Sequence, residues 1–339
     1  MTREELRSVV SQPEYDFLRT DPHLGNRIMF LTLGGSHAYG TNIEGSDIDV
    51  RGCAMNSKQD LLGLSNFEQR INEATDTTVY AFNKLIPLLV SCNPNTIEML
   101  GGRPETYIQV SPEGQMLINN SKLFLSKRAA HSFGGYATQQ LRRLQNALAH
   151  DHYPPDEKEK HILGTCKTVM DEFQLNHSDF NTDSVKLYID EAVTDGLDTE
   201  IFVDCILKHY PLRQMKAWNS ELGNVLSLYS KLNHRNNKKD DMHLNKHAMH
   251  LVRLYLMCFD ILEKGEINTY RESDRDMLLE IRNGKYQKPD GTYYPEFFDM
   301  IHEFEERLSY DKINTCLPDH PNMDKIEELV MSINERACR

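Results

Sequence analysis

The chain lacks most of what a secreted or membrane protein needs. Its seven cysteines (Cys53, Cys92, Cys166, Cys205, Cys258, Cys316 and Cys338) include no C-x-x-C pair, and their number is odd. That argues against a disulfide framework and against a structural zinc site, and for a reducing compartment. The opening stretch MTREELRSVVSQPEYDF is polar and carries no apolar core of a secretory signal. No segment approaches the roughly 20 apolar residues of a membrane span. A cytoplasmic protein is therefore expected. Internal repeats and low-complexity tracts are also missing. Positive charge is in short supply: 38 Lys and Arg stand against 51 Asp and Glu, a formal net charge of -13. The mean field of such a protein repels phosphates, so it does not bind nucleic acid by bulk attraction. Any polyphosphate site must be a local basic cluster or must recruit divalent cations.

What is present suffices for a sizeable core. The 339 residues, 39% of them hydrophobic, correspond to about two domains. Residues 1–24 read as a short amphipathic helix and a loop. Residues 27–33 (RIMFLTL) form an apolar, β-prone run that stops at Gly34-Gly35-Ser36, as a buried strand ending in a tight turn does. Residues 47–55 (DIDVRGCAM) read as a second strand and 76–82 as a third. Helical spacing over 83–91 ends at Cys92-Asn93, with Pro94 suited to the first position of the next helix. From about Ser121 helical periods dominate, over 121–149, 156–176, 199–209, 212–233, 244–264, 271–283, 295–308 and 323–338. The polar stretch 233–241 reads as a loop. A small α/β domain over 1–120 followed by a helical domain over 121–339 is the expected organisation.

Acids at i and i+2 on a strand point to one face, which places Asp47 and Asp49 side by side with Ile48 and Val50 behind them. Two adjacent carboxylates without a cation repel, which motivates a metal. Magnesium favours hard oxygen ligands, a few carboxylates together with substrate phosphates. Glycines at 34 and 35 let backbone approach a phosphate, and Ser36 adds a hydroxyl and an N–H. Lys246, His250 and Arg253, at i, i+4 and i+7, share one face of a helix. With Arg271 they are the candidate cations for the β- and γ-phosphates, ahead of Lys84, Arg142 and Arg143. The alternative for that stripe is a solvated helix face. His243, His247 and His250 find no acid or thiolate to complete a metal site. Ser36 beside His37 is no nucleophile pair, since no G-x-S-x-G is present.

Leu33-Gly34-Gly35-Ser36, ten residues, then Asp47-Ile48-Asp49-Val50 resembles the signature of the DNA polymerase β nucleotidyltransferase superfamily, in a branch of bacterial and phage nucleotidyltransferases. Supporting stretches are Gly40-Thr41 with Glu44-Gly45-Ser46, residues 80–84 leading into Asn93-Pro94-Asn95 and Glu98-Met99-Leu100, and residues 246–253 followed by 261–271. The resemblance implies an α/β (α+β) fold, a mixed five-stranded sheet flanked by helices, with an all-helical C-terminal domain. It also implies a nucleotidyltransferase that moves an NMP or dNMP from an NTP or dNTP to a hydroxyl with release of pyrophosphate, using magnesium or manganese, two ions. The superfamily pattern has a third carboxylate. Asp76 is the choice, with Glu73 and Glu98 as competitors. Asp47, Asp49 and Asp76 would then be the catalytic, metal-holding acids, and Gly35, Ser36, Lys246, His250, Arg253 and Arg271 the nucleotide-binding set. For the acceptor, a nucleic-acid or oligonucleotide 3′-OH ranks ahead of a protein hydroxyl of a toxin or antiphage kind, and of a small molecule. The rival class is a nucleotide sensor that binds a protein partner without turnover. Nothing in the sequence sets the oligomeric state.

Overall fold

Six consecutive buried residues, Ile28–Leu33, make the strand β1 around which the site is built. The structure is a computed structural model and describes residues 3–151, 185–191, 193, 199–206, 208, 215–216, 219–220, 222–223 and 241–338. Before β1 come helices α1 (Arg3–Val10) and α2 (Phe17–Thr20). After it follow α3 (Gly35–Tyr39), β2 (Val50–Ala54), α4 (Lys58–Leu62), β3 (Gln69–Asn72) and β4 (Thr77–Ala81). Helices α5 (Phe82–Val90) and α6 (Pro94–Ile97), strand β5 (Tyr107–Val110), α7 (Pro112–Asn119) and α8 (Arg128–Asp151) complete this half.

The five strands form one mixed sheet in the order β3-β4-β2-β1-β5. β1 is antiparallel to β2 and β5, β3 is antiparallel to β4, and β2 runs parallel to β4. This is the expected mixed five-stranded sheet. Its edge strands β3 and β5 are four residues each and carry little sequence signal, whereas β1 and β4 alternate or run apolar as anticipated. One face carries Leu31, Leu33, Val50, Ala54, Val79 and Ile108 and is covered by Leu6, Tyr15, Leu18 and Leu24 from the N-terminal segment. The residues of opposite parity, Thr32, Arg51 and Thr78, are paired across β1, β2 and β4 and so share the other face.

Beyond α8 the described elements are β6 (Val185–Glu191), β7 (Thr199–Cys205), α9 (Asp241–Phe259), α10 (Arg275–Arg282), α11 (Pro295–Asn314) and α12 (Met323–Cys338). β6 and β7 pair antiparallel, with Tyr188 opposite Phe202. Over Thr199–Cys205 the chain is therefore a strand where a helix over 199–209 was expected: Thr199, Ile201 and Val203 put a β-branched residue at every second position. The helix expected over 156–176, most of that over 212–233, and the loop over 233–240 lie outside the described residues. By compactness the chain divides into two units: one comprises Met1–Leu141, Asn245–Tyr286 and Tyr294–Arg339, the other Arg142–Leu244 and Gln287–Tyr293. In the first unit α9 is buried on several sides through Ala248, Met249, Leu251, Val252, Tyr255 and Cys258. That is the environment of a core helix rather than a surface one.

Candidate active site

The turn after β1 is shaped by two glycines. Gly34 is extended and its N–H donates to the Asp49 carbonyl at 2.8 Å, continuing the β1–β2 ladder by one residue. Gly35 has φ +55, where side chains other than glycine are strained. A methyl group at Gly35 would lie 1.6 Å from Asp49 Oδ2, and one at Gly34 would lie 2.8 Å from Arg51 Cγ. Two active-site side chains thus lie down on bare backbone. Ser36, 8% exposed, sits in the first turn of α3, which Gly40 ends in the left-handed conformation with its N–H donating to Ser36 O.

Asp47 and Asp49 precede β2, which begins at Val50, so the strand is shorter at its start than expected. Asp47 is exposed and makes no hydrogen bond or ion pair among the described residues. The Asp49 side chain is 17% exposed. Asp76 does not open a strand: it closes a 3₁₀ turn with φ 40 and ψ 48, and β4 starts at Thr77. Left-handed backbone is tolerated better by Asp than by most residues, and such outliers gather at functional sites. Parallel pairing of β2 with β4 brings Asp76 beside Asp49, since Val50 N donates to Asp76 O at 3.2 Å. The two carboxyls lie close enough to perturb each other's ionisation. Burial, then the Asp76 carboxyl, pushes Asp49 up to about 7. The Asp49 carboxyl and the Arg51 guanidinium hold Asp76 below the usual carboxylate range. The two carboxyls therefore titrate as a pair rather than independently.

Of the competing third acids, Glu73 is exposed in the 3₁₀ turn, whereas Glu98 is buried and accepts from Tyr39 Oη at 2.8 Å and from Arg253 Nη1 at 3.1 Å. Asp76 is the acid that meets Asp49. Among the described residues no three His, Cys, Asp or Glu side chains converge in metal-ligating geometry. The donor set of Asp47, Asp49 and Asp76 is nevertheless all hard oxygen, and two like charges held together in a half-buried place fit a hard divalent cation.

The candidate cations divide sharply. Lys246 on α9 is exposed, and its charge stabilises the ionised forms of Asp49 and Asp76. His250 lies edge-on to Tyr39, and burial, with Arg253 and Lys246 nearby, holds its imidazole well below the usual histidine range. It is neutral and not a fixed cation. Arg253 is 5% exposed, paired with Glu98, and stacked 3.6 Å over the Tyr39 ring. Arg271 is 4% exposed and paired with Asp260 and Asp274. Both arginines, expected on the triphosphate, are buried in ion pairs within the fold. The Tyr39, Gly40 and Thr41 carbonyls accept in turn from Arg271 N, Arg275 Nε and Arg282 Nη1 at 3.0, 2.7 and 2.6 Å. They pin the end of α3 from α10 and the segment just before it. A cavity of about 460 Å³ behind this brace is lined by Arg103, Asp260, Lys264, Tyr270 and Arg271, and none of the three candidate acids faces it.

Sequence reasoning passed over Arg51. Its Nη2 lies 3.0 Å from Asp76 Oδ1 and 3.7 Å from Asp49 Oδ1, and its Nη1 donates to the Asp76 carbonyl at 2.5 Å. The signal was available: Arg51 stands two residues beyond Asp49 on the same strand face.

Against known families, the profile described as "RlaP: RNA repair pathway DNA polymerase beta family" matches residues 3–169. Among curated proteins nothing matches significantly.

Proposed function

We propose, from the premise that residues 3–169 belong to the DNA polymerase β-like nucleotidyltransferase family, that this protein transfers a nucleoside monophosphate from an NTP to the 3′-hydroxyl of an RNA end. The observation that carries the reading is the Asp49–Asp76 carboxyl pair set under the Gly34-Gly35 turn. The family's description as an RNA repair pathway supports RNA as acceptor. The acidic balance supports a short 3′ end over a long nucleic-acid track.

Asp47, Asp49 and Asp76 are the residues that would hold magnesium or manganese, which supplies charge neutralisation on the triphosphate and Lewis-acid activation of the hydroxyl. The other tasks fall to the chain. The glycine turn and the buried Ser36 present a rigid edge to the phosphates, held from behind by the three carbonyl bonds to residues 271–282. Lys246 is the exposed cation of α9 that faces the acid pair. Asp76, with its side chain 57% exposed, is the carboxylate that an acceptor hydroxyl reaches, and its ionised form takes the hydroxyl proton. Contact between Asp76 and Asp49 favours an enzyme over a nucleotide sensor, which has no need of a third acid there.

The test is incubation with each α-labelled NTP and a pool of nicked or truncated small RNAs, with magnesium or manganese, beside Asp49→Asn. Label that extends RNA in the wild type alone is the expected result. Label on a protein band would move the acceptor to a protein hydroxyl. Nucleotide binding without label anywhere would overturn the transferase reading in favour of the sensor.

A further inference from the structure

The guanidinium of Arg51 contacts the oxygens that any cation at this site must use. It lies within ion-pair distance of both Asp76 Oδ1 and Asp49 Oδ1, and is the one basic side chain that does so among the described residues. It is held there on purpose-built backbone: its stem crosses Gly34 where no side chain fits, and Nη1 bonds the left-handed Asp76 carbonyl. Yet it is not sealed in. Its side chain is 24% exposed and that of Asp76 is 57% exposed, against 4% for Arg271 and 6% for Arg253. An arginine in such a position can leave by rotating its own side chain, with no rearrangement of the sheet.

We infer that Arg51 is a resident counter-ion of the acid pair, a positioning residue that keeps Asp49 and Asp76 together and is displaced from their oxygens when a divalent cation binds. The inference rests on the reading of those acids as metal ligands. The Arg51 guanidinium occupies the approach to Asp49 Oδ1 and Asp76 Oδ1 that a metal ion needs, and its charge repels the ion, so Arg51 and the metal compete. Arg51 therefore weakens metal binding while preventing the two like charges from splaying the strands. A purely structural arginine would do the opposite on removal: the site would loosen and bind metal less well.

Manganese binding to the whole protein, followed by electron paramagnetic resonance and calorimetry at mildly alkaline pH, separates these. Arg51→Gln is expected to bind Mn²⁺ roughly ten- to a hundredfold more tightly than the wild type. Arg51→Lys, which keeps the charge and loses the fork, falls between them, and Asp49→Asn loses the ion. Equal or weaker binding by Arg51→Gln, with binding still abolished by Asp49→Asn, would overturn the counter-ion role and leave the metal site standing. No Mn²⁺ bound by any form, with or without NTP, would bring down the metal reading itself and this inference with it. Should Arg51→Gln fail to fold, the wild type still decides. Modification of Arg51 by an arginine-specific dicarbonyl, read by mass spectrometry, is expected to accelerate several-fold on adding Mn²⁺, and an unchanged rate refutes displacement.

Discussion

Two ionic clusters in the same compact unit differ in one respect that separates frame from site. Around Asp260, Arg271 bonds Asp260, Asp274 and the Asn268 carbonyl, while Lys264 and Asn268 complete Asp260. Every charge there is answered and Arg271 is sealed from water. Around Asp49, two carboxyls face one arginine, the Asp49 carboxyl is driven up to about 7, and Asp76 sits on left-handed backbone. Charges are left over, and they are partly open to solvent. Completed pairing marks an ion that orders the fold; unbalanced pairing of like charges marks one waiting for a ligand.

The largest effects should fall in opposite columns for the two clusters. Asp49→Asn is expected to abolish NMP transfer while leaving the metal-free fold as stable as before, or more so, at neutral pH. The sign follows from the raised carboxyl. A group protonated more easily in the native than in the unfolded chain contributes stability at low pH, and loses it as pH climbs from the ordinary carboxylate range through about 7. Asparagine removes that loss. Arg271→Met should do the reverse, costing about 3–5 kcal/mol of stability because Asp274 loses its guanidinium and the buried Asp260 keeps only Lys264 and Asn268. Chemical denaturation of both variants beside an activity assay checks the contrast. A destabilised Asp49→Asn, or an Arg271→Met of unchanged stability and lost activity, would erase it.

That contrast also explains what could be read in advance. The strand-turn-acid motif was legible because it is local: an apolar run stops at glycine, and two acids follow at strand spacing. Asp76 was legible as a strand-edge acid, although its true position, the closing residue of a 3₁₀ turn, depends on parallel pairing with β2. The surroundings of the cations were not legible, for a reason of distance. Helical spacing correctly places Lys246, His250 and Arg253 along one helix, but whether that face meets water or Glu98 depends on a contact 155 positions away in sequence. The same holds for Arg271, whose partners are Asp274 and Asp260, the latter in a π-helical turn (Asp260–Lys264) after α9 that no periodicity announces. The strand β7 was missed because a helical reading of its surroundings was extended across it, and the stretch of β6 was assigned to no element.

Next in size is the pH dependence of the site. Below about 7 the proton on Asp49 competes with a metal, so Mn²⁺ affinity should rise by about tenfold per pH unit up to that midpoint and level off above it. Affinity that is flat between mildly acidic and mildly alkaline pH would mean that the ion does not use Asp49. The Asp260 cluster supplies the control. Asp260 is held below the usual carboxylate range, first against its burial by the bond from Lys264 and then by Arg271, so it stays ionised throughout this window and contributes no pH dependence there.

The smallest effect expected is that of Lys246→Ala. Lys246 is exposed and contributes to Asp49 and Asp76 only through its field, which acts on Asp49 less strongly than burial, the acid pair itself and Arg51. Exposed charges of this kind contribute little to stability, about 0–1 kcal/mol. The fold should therefore be indifferent to the substitution. Its field, however, favours the ionised carboxyl, so removing it should move the midpoint of Mn²⁺ binding upward by a fraction of a pH unit and raise the NTP KM several-fold with kcat nearly unchanged. A fall in kcat alone would place Lys246 at the reacting phosphate rather than at its periphery. No change in either would return the exposed end of α9 to the solvated helix face that its sequence also allows, leaving Arg51 as the cation nearest the acid pair.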